Sequence, residues 1–389
     1  MAKPWMIITG ATGLLGGQLV RMLRKEYRII AIGRRTPADS GVPEGPGIEW
    51  FRVDIGQIEP LRQVFSRIRD LGGAEVLLHM AAFYDFTGED NPEYKRTNIE
   101  GTRNVLALAE PLKLRRFIYT SSTAACPFPP PGQSVNESTQ PAADFPYARA
   151  KRAGEAMMRE WADRIPTCIV RPAAVVSDWC EYPPLMEFLQ AWCSRSWNSR
   201  ILGGRGESAI PYLHVEDLMS FYLRVVERCD ELGDAEVLIA SPDGSTTHAD
   251  LFREITRAAF GRPRRPVLVP RVIARPGVAA REWLGRRTGH MPFERTWMLD
   301  YVDLRLDVDA SRTRVRLDWA PSPRLHVLSR LGAMIENMRA HPDEWRLRRA
   351  RRRPSGMAGL PGAPPNRAVA LYRPSGGDGE QPLEFGEDL

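Results

Sequence analysis

An α/β fold, a doubly wound parallel sheet with a smaller C-terminal region, is the architecture this sequence predicts. Three observations predict it. Short apolar runs alternate with helix-period stretches from residue 5 to about residue 170. The runs are almost continuously apolar, as strands buried on both faces of a parallel sheet must be. A glycine-rich turn, Thr9-Gly10-Ala11-Thr12-Gly13-Leu14-Leu15-Gly16, joins the first run to the first helix.

Each element follows in order. Met6–Thr9 reads as the first strand. Leu14–Lys25 reads as a helix, with Leu15, Leu19, Met22 and Leu23 at core spacing. Arg28–Gly33, Trp50–Val53, Val76–Met80, Arg116–Thr120 and Cys168–Val170 supply five further strands, most of them separated by helical stretches. Such alternation implies right-handed crossovers. From Pro172 the pattern loosens, and residues 178–208 are rich in Trp, Tyr and Pro. Tyr212–Val215 and then Asp217–Glu227 return to a strand followed by a helix, and residues 265–345 carry two or three more helices. The expected division is a sheet domain of residues 1–171, rejoined by 210–240. A second, discontinuous region takes 172–209 and 241–345. Residues 346–389, Arg-rich and then Pro/Gly-rich, read as a disordered tail, because they cannot bury enough apolar surface to offset their ordering entropy.

Composition narrows the class. The 389 residues are 43% hydrophobic and 26% charged, ordinary for a globular chain. The net charge of +6 is matched by Arg346, Arg348, Arg349, Arg351, Arg352 and Arg353 alone. The rest is near neutral, which argues against a nucleic-acid partner. No apolar run reaches 18 residues, so no membrane span is expected. The apolar stretch at the N-terminus is too short for a signal segment, and a cytoplasmic protein is expected. The five cysteines form no metal-type C-x-x-C pair, so no metal site is expected, and an odd, scattered set fits a reducing compartment.

Three motifs carry chemistry. In the glycine turn, Gly10 permits the tight bend, Gly13 lets backbone approach a pyrophosphate, and Gly16 lets helix and strand pack closely. Free N–H groups and the helix dipole then favour phosphates, the pattern of a Rossmann-type dinucleotide site. At the end of the second strand Gly33-Arg34-Arg35 stands where an acid would bind the ribose hydroxyls. Arg34 suits a 2′-phosphate, so NADP is expected ahead of NAD. Asp54, after the third strand, reads either as an adenine acceptor or as a loop cap.

The second motif is Tyr147-Ala148-Arg149-Ala150-Lys151. Positions i and i+4 share a helix face, so phenol and ammonium project together. A free tyrosine, with a pKa of about 10, is a poor base at neutral pH. A cation at about 4 Å is worth roughly 4 kcal/mol at an effective dielectric near 20, about three pKa units, with desolvation opposing it. The third motif is Thr120-Ser121-Ser122-Thr123 at the C-terminal end of the fifth strand, where ligands of open α/β sheets bind. A hydroxyl there can polarise a substrate carbonyl. Spacing alone does not choose among Ser121, Ser122 and Thr123.

Together these segments resemble the extended short-chain dehydrogenase/reductase family, the NAD-dependent epimerase/dehydratase group. Other landmarks of the resemblance are His79-Met80-Ala81-Ala82, Thr97-Asn98-Ile99-Glu100-Gly101-Thr102-Arg103-Asn104, Arg171-Pro172 and His214-Val215-Glu216-Asp217. The resemblance covers about residues 5–345. It implies Ser122, Tyr147 and Lys151 as the catalytic set. It places Gly10, Thr12, Gly13, Leu14, Leu15 and Gly16 at the pyrophosphate. Arg34, Asp54 and Ile55 fall at the adenosine end, Met80, Ala81 and Ala82 along the cofactor, and Asn98 and Ala173 near the nicotinamide. It leaves a helix-mediated homodimer open.

Two departures bear on substrate. Ala174 stands where family members acting on nucleotide sugars carry an asparagine, and Ile210 where they often carry a phosphate-binding arginine. Both remove polar contacts that a diphosphate needs. The branch resembling 3β-hydroxysteroid dehydrogenases and dihydroflavonol reductases fits better. Phe83, Tyr84, Phe86, Trp179, Tyr182, Trp192 and Trp197 are candidates for an aromatic pocket wall, with Asp85, Asp178 and Glu181 as polar anchors. The expected function is hydride transfer between a nicotinamide and the ketone or secondary alcohol of an apolar or ring-bearing small molecule. The rivals are an epimerase or dehydratase with no net redox change and a non-catalytic NADP-sensing regulator.

Overall fold

The computed structural model describes residues 3–289, 291–351 and 371–372. Six strands, β1 (Trp5–Thr9), β2 (Arg28–Gly33), β3 (Ile48–Arg52), β4 (Val76–His79), β5 (Arg116–Thr120) and β6 (Thr167–Pro172), form a parallel sheet with Glu236–Ala240. The order runs Glu236–Ala240, β6, β5, β4, β1, β2, β3. A two-residue strand, Leu371–Tyr372, adds antiparallel to β3. The order reverses between β1 and β4, and a crevice opens beyond the strand ends at such a switch point.

Alternation of side chains along each strand divides the core into two layers. Met6, Ile8, Ile29, Ala31, Leu78, Ile118 and Val170 face one way and pack under the helices Leu14–Leu23 and Val215–Glu227. Ile7, Ile30, Leu77, Phe117, Tyr119 and Ile169 face the other way, against the helices Ile58–Asp70, Thr102–Ala109 and Pro146–Glu160. Both faces are dry, which is why the strands read as unbroken apolar runs.

The rest of the chain builds a second layer of structure over the strand ends. The helices Pro183–Trp192, His248–Phe260 and Val327–Ala340 enclose a core of Leu185, Leu189, Trp192, Leu251, Phe252 and Ile255 with Leu331, Met334 and Ile335. The reading of 346–389 as a tail needs one correction. Residues up to Arg351 continue the helix Pro342–Arg351. Trp345 is buried, and Arg348 pairs with Glu181 at 3.1 Å and Glu344 at 2.8 Å, so this turn has apolar and ionic anchors that composition conceals. Apart from Leu371–Tyr372, the remainder of the proposed tail lies outside the described residues. No helix among the described residues is long and apolar enough to cross a membrane, and their five cysteines are all free.

Candidate active site

The turn after β1 sets the geometry. Gly10 has φ +68°, a region that L side chains avoid, and a Cβ there would lie 2.7 Å from the Ala81 nitrogen. The turn therefore touches the backbone of Met80 and Ala81. At Gly16 a Cβ would collide with the Gly10 carbonyl oxygen, so the helix starts hard against the turn. That helix has no side-chain cap and no acid in its first turn. Its first N–H groups, at Leu14, Leu15 and Gly16, have no intrahelical acceptor and point toward the crevice with the positive end of the dipole.

Thr12 is buried against Gly33, and its carbonyl accepts a hydrogen bond from Arg35. Arg34, half exposed at the end of β2, lies 3.9 Å from Glu93. Of its two readings, Asp54 shows the loop cap. It caps the Gly56 N–H at 2.9 Å, and it takes a 2.9 Å hydrogen bond from Arg96, which also grips Glu93. Ile55 is buried beside Gly101. Asn98 both accepts from the Phe83 N–H at 2.6 Å and donates to the Phe83 carbonyl at 2.9 Å, clamping the loop after β4. His79 is buried between the hydroxyls of Thr9 (2.9 Å) and Thr102 (3.0 Å), and burial drives its pKa down to about 3. It is a neutral structural histidine. Thr120, also at a strand end, meets Tyr222 at 2.7 Å and the Met80 sulfur at 3.0 Å. Ala82 is exposed and Ala173 buried.

The fifth strand and the helix Pro146–Glu160 bring the remaining groups together. Pro146 occupies the first helical turn, where its missing N–H costs nothing. Tyr147, Lys151 and Glu155 follow at steps of four and share one face. The three hydroxyls that spacing could not separate are now distinct. Ser121 is buried and donates to Glu155 at 2.7 Å. Thr123 is buried and donates to the Pro172 carbonyl at 3.2 Å. Ser122 is half-buried, and its oxygen caps the Ala124 N–H at 3.1 Å. Burial pushes the Tyr147 phenol up to about 12, and its hydrogen bond with Ser122 pulls the other way.

Lys151 is buried, 5.7 Å from the centre of the Tyr147 ring, and donates to the Thr120 carbonyl at 2.6 Å. Burial lowers its pKa to about 8, with Glu155 opposing. The phenol is not brought toward neutrality; at this site burial outweighs the Ser122 hydrogen bond. Beneath lies a feature that sequence reasoning missed. Glu155 and Arg171, both fully buried, meet at 2.8 and 2.7 Å, and Arg171 also donates to the Thr139 carbonyl at 2.8 Å. The signal was available: Glu155 continues the Tyr147, Lys151 spacing by one more step of four.

Of the proposed aromatic wall, four members gather. Phe83 packs with Tyr94 and Ala150, Tyr84 lies 4.1 Å from the Tyr147 ring, and Phe86 bridges Tyr84 (4.5 Å) to Tyr182 (5.8 Å). Two additions come from elsewhere: Phe293 at 6.1 Å from Phe86, and Tyr212 at 5.9 Å from Tyr182. The Tyr212 hydroxyl is buried without a hydrogen-bond partner among the described residues. Three members do not belong. Trp192 stacks on Phe188 in the second core, Trp179 lies under Arg348, and Trp197 is exposed. The three acids are engaged as well: Asp85 with Thr87 and Tyr94, Asp178 with Arg330, Glu181 with Arg348 and Ser177. Ala174 and Ile210 lie on short strands of the C-terminal region and pack on its apolar clusters. Among the described residues no group of His, Cys, Asp and Glu could hold a metal.

The residues present fit a dinucleotide. They provide an uncapped helix N-terminus, a glycine turn without side chains to block it, and a lysine, a tyrosine and a serine at the neighbouring strand end. Residues 6–240 match the family model described as NAD dependent epimerase/dehydratase family. Over 134 residues (34% of this chain, 37% of the relative) the sequence is 34% identical to a putative dihydroflavonol 4-reductase of Synechocystis sp.. Over 184 residues (46% and 54%) it is 30% identical to sterol demethylase protein B of Methylococcus capsulatus. The chain thus spans a third to a half of the length of these curated relatives. The crystal structure of dTDP-glucose 4,6-dehydratase from Bacillus anthracis, in complex with NAD, superposes with a TM-score of 0.66. It covers 89% of this chain and 100% of that one at 18% identity, a likeness of fold.

Proposed function

The chain belongs to the NAD dependent epimerase/dehydratase family, and from that premise we propose that it is an NADP-preferring oxidoreductase of a ketone or secondary alcohol on an apolar or ring-bearing small molecule. The observation that carries the reading is the joint placement of Ser122, Tyr147 and Lys151 beneath the aromatic side chains Tyr84, Phe86 and Tyr182.

A bound nicotinamide supplies or accepts the hydride at the substrate carbon. The protein handles the proton. A Tyr147 phenol held near 12 is fully protonated at neutral pH, the state needed to give its proton to a ketone oxygen during reduction. The Ser122 hydroxyl holds that oxygen in place. Lys151, anchored on the Thr120 carbonyl, keeps a cation near the phenolate that results and is placed to bind the ribose. The Glu155–Arg171 pair fixes the helix that carries both groups. Gly10, Thr12, Gly13, Leu14, Leu15 and Gly16 would hold the pyrophosphate, and Arg34 would hold a 2′-phosphate. Asp54 and Ile55 would border the adenine, and Met80, Ala81, Ala82, Asn98 and Ala173 the nicotinamide half.

Two features support an apolar substrate. The wall above Tyr147 is aromatic, and its unpartnered buried hydroxyl, Tyr212, offers one polar contact rather than a diphosphate site. Ala174 and Ile210 offer no phosphate ligand. The dihydroflavonol reductase and sterol demethylase names of the relatives point the same way. Thermal-shift titration with NADPH and NADH, followed by a panel of carbonyls, tests the reading, since a bound cofactor raises the unfolding midpoint by mass action. The expected outcome is a larger shift with NADPH and a net fall in reduced-nicotinamide absorbance with an apolar ketone. Product formed with no net absorbance change would establish an epimerase or dehydratase instead.

A further inference from the structure

The largest departure from ordinary surface chemistry lies away from the cofactor crevice. Six of the eleven exposed large apolar side chains among the described residues fall between positions 267 and 284: Val267, Leu268, Val272, Ile273, Trp283 and Leu284. Four are on one helix, Arg271–Thr288. At 3.6 residues per turn, Ala274, Val278, Glu282 and Gly285 fall on one side, and these are the positions that are half-buried or buried. Val272, Ile273, Pro276, Ala280, Trp283 and Leu284 fall on the opposite side, turned from the body. Their exposure is 78% at Val272, 66% at Ile273, 55% at Trp283 and 54% at Leu284. An apolar stripe on the outer side of a packed helix inverts the usual amphipathic arrangement.

Charge flanks the stripe. Residues 262–288 contain eight arginines and a single acid, Glu282. Glu282 sits on the packed side and accepts from the Thr296 N–H at 3.0 Å and hydroxyl at 2.7 Å. The outer side carries no carboxylate. Arg271 and Arg287 have no carboxylate partner among the described residues, and the Arg287 guanidinium lies 4.0 Å over the Trp283 ring, a pose in which a long side chain can follow the apolar stripe and end in a polar layer.

The helix also adjoins the mouth of the proposed substrate cleft. It is fastened to the turn Thr296–Tyr301, whose Trp297 donates to the Thr87 carbonyl at 2.9 Å, and Arg286 reaches Glu89 at 3.2 Å. Both contacts fall in the loop that carries Tyr84 and Phe86. Between helix and turn, Phe293 enters the aromatic wall beside Phe86.

We propose that the helix Arg271–Thr288 docks this protein on the surface of an anionic phospholipid bilayer, lying in the headgroup layer with its Val272, Ile273, Trp283, Leu284 stripe inserted. Apolar insertion with arginines at headgroup level is the chemistry of an interfacial helix. Arg275, Arg281 and Arg286 at the edges of the stripe pair with Asp300, Glu294 and Glu89. A second copy of the chain is the less fitting occupant, because a two-fold contact across the stripe would bring Arg287, which has no carboxylate partner among the described residues, against its own copy. Docking goes beyond the reaction proposed above and does not depend on it. If both hold, an apolar substrate reaches the cleft from the bilayer edge without crossing water.

The test is flotation of the full chain with vesicles of phosphatidylcholine alone and with phosphatidylglycerol mixed in. Binding is expected to the anionic vesicles and to weaken as salt rises. Arg271→Gln with Arg287→Gln should weaken it roughly thirtyfold, at about fivefold per arginine near the surface. Ile273→Gln with Trp283→Gln should weaken it by about tenfold or more. All four side chains are exposed, and unchanged circular dichroism verifies folding. Binding that survives both double variants would place any attachment elsewhere and overturn the proposal. So would binding to duplex DNA in preference to vesicles, or a dimer at low salt that the Ile273→Gln, Trp283→Gln variant converts to monomer.

Discussion

The helices Pro146–Glu160 and Arg271–Thr288 are of similar length and break the inside-outside rule in opposite directions. The first buries charge. Lys151 and Glu155 lie in the interior, each with named partners. The second exposes hydrophobic surface and keeps its one acid on the packed side. A buried charge and an exposed apolar stripe are the informative exceptions in a folded protein, because both cost stability unless something repays them. In the first helix the repayment is visible as hydrogen bonds within the fold. In the second nothing among the described residues covers the stripe, which directs attention to an external partner.

Substitutions can break this contrast. The largest loss of stability is expected at Glu155. Glu155→Ala leaves the Arg171 guanidinium buried and unpaired, and removing one partner of such a pair costs about 3–5 kcal/mol. Urea unfolding measures it, and a loss below about 1 kcal/mol would mean that water repairs the site. Next come two histidines, one in each half of the molecule: the buried His79 at about 3 and the half-buried His248 at about 4, both lowered by desolvation. Between those values and the unfolded value of about 6.5 the unfolded chain binds more protons than the folded one, so stability rises with pH there. Going from pH 7 to pH 5 should cost about 2 kcal/mol for each histidine, read as a falling urea midpoint. A midpoint independent of pH over that range would contradict the neutral assignment.

A smaller effect is expected at the adenosine end. Arg34→Ala should weaken NADPH about tenfold, the loss of a charge-assisted contact, and leave NADH nearly unchanged. Equal weakening of both would remove the case for NADP. The smallest effect belongs to the second helix. Trp283→Gln should change stability by less than about 0.5 kcal/mol and leave turnover of a water-soluble ketone as it was. A large loss in either would show that the outer stripe is structural.

The same contrast explains what the sequence discloses. The six strands and the glycine turn were legible because burial on both faces and a positive φ at Gly10 leave local marks. Tyr147 and Lys151 were legible because a helix fixes their spacing. The preference for Ser122 over its neighbours rests on resemblance alone; what supports it in the structure, that Ser121 and Thr123 spend their hydroxyls on Glu155 and Pro172, depends on elements far apart in sequence. The C-terminal half was read less well. Nothing local separates Tyr182, which joins the wall, from Trp192, which stacks in a core. Phe293 and Trp297 meet the loop after β4 across some 200 residues. Summing charge over the chain also drew attention to 346–353 and away from 262–288, where arginines stand with almost no acids.

The central claim is that the proton in this reaction moves through the Tyr147 phenol. Replacing Tyr147 with Phe removes one oxygen and keeps the ring against Tyr84. The account predicts that turnover of the best ketone from the carbonyl panel falls by roughly 10²–10⁴-fold, while the thermal shift given by NADPH is unchanged. Turnover near that of the parent protein, with the cofactor bound as before, would contradict it.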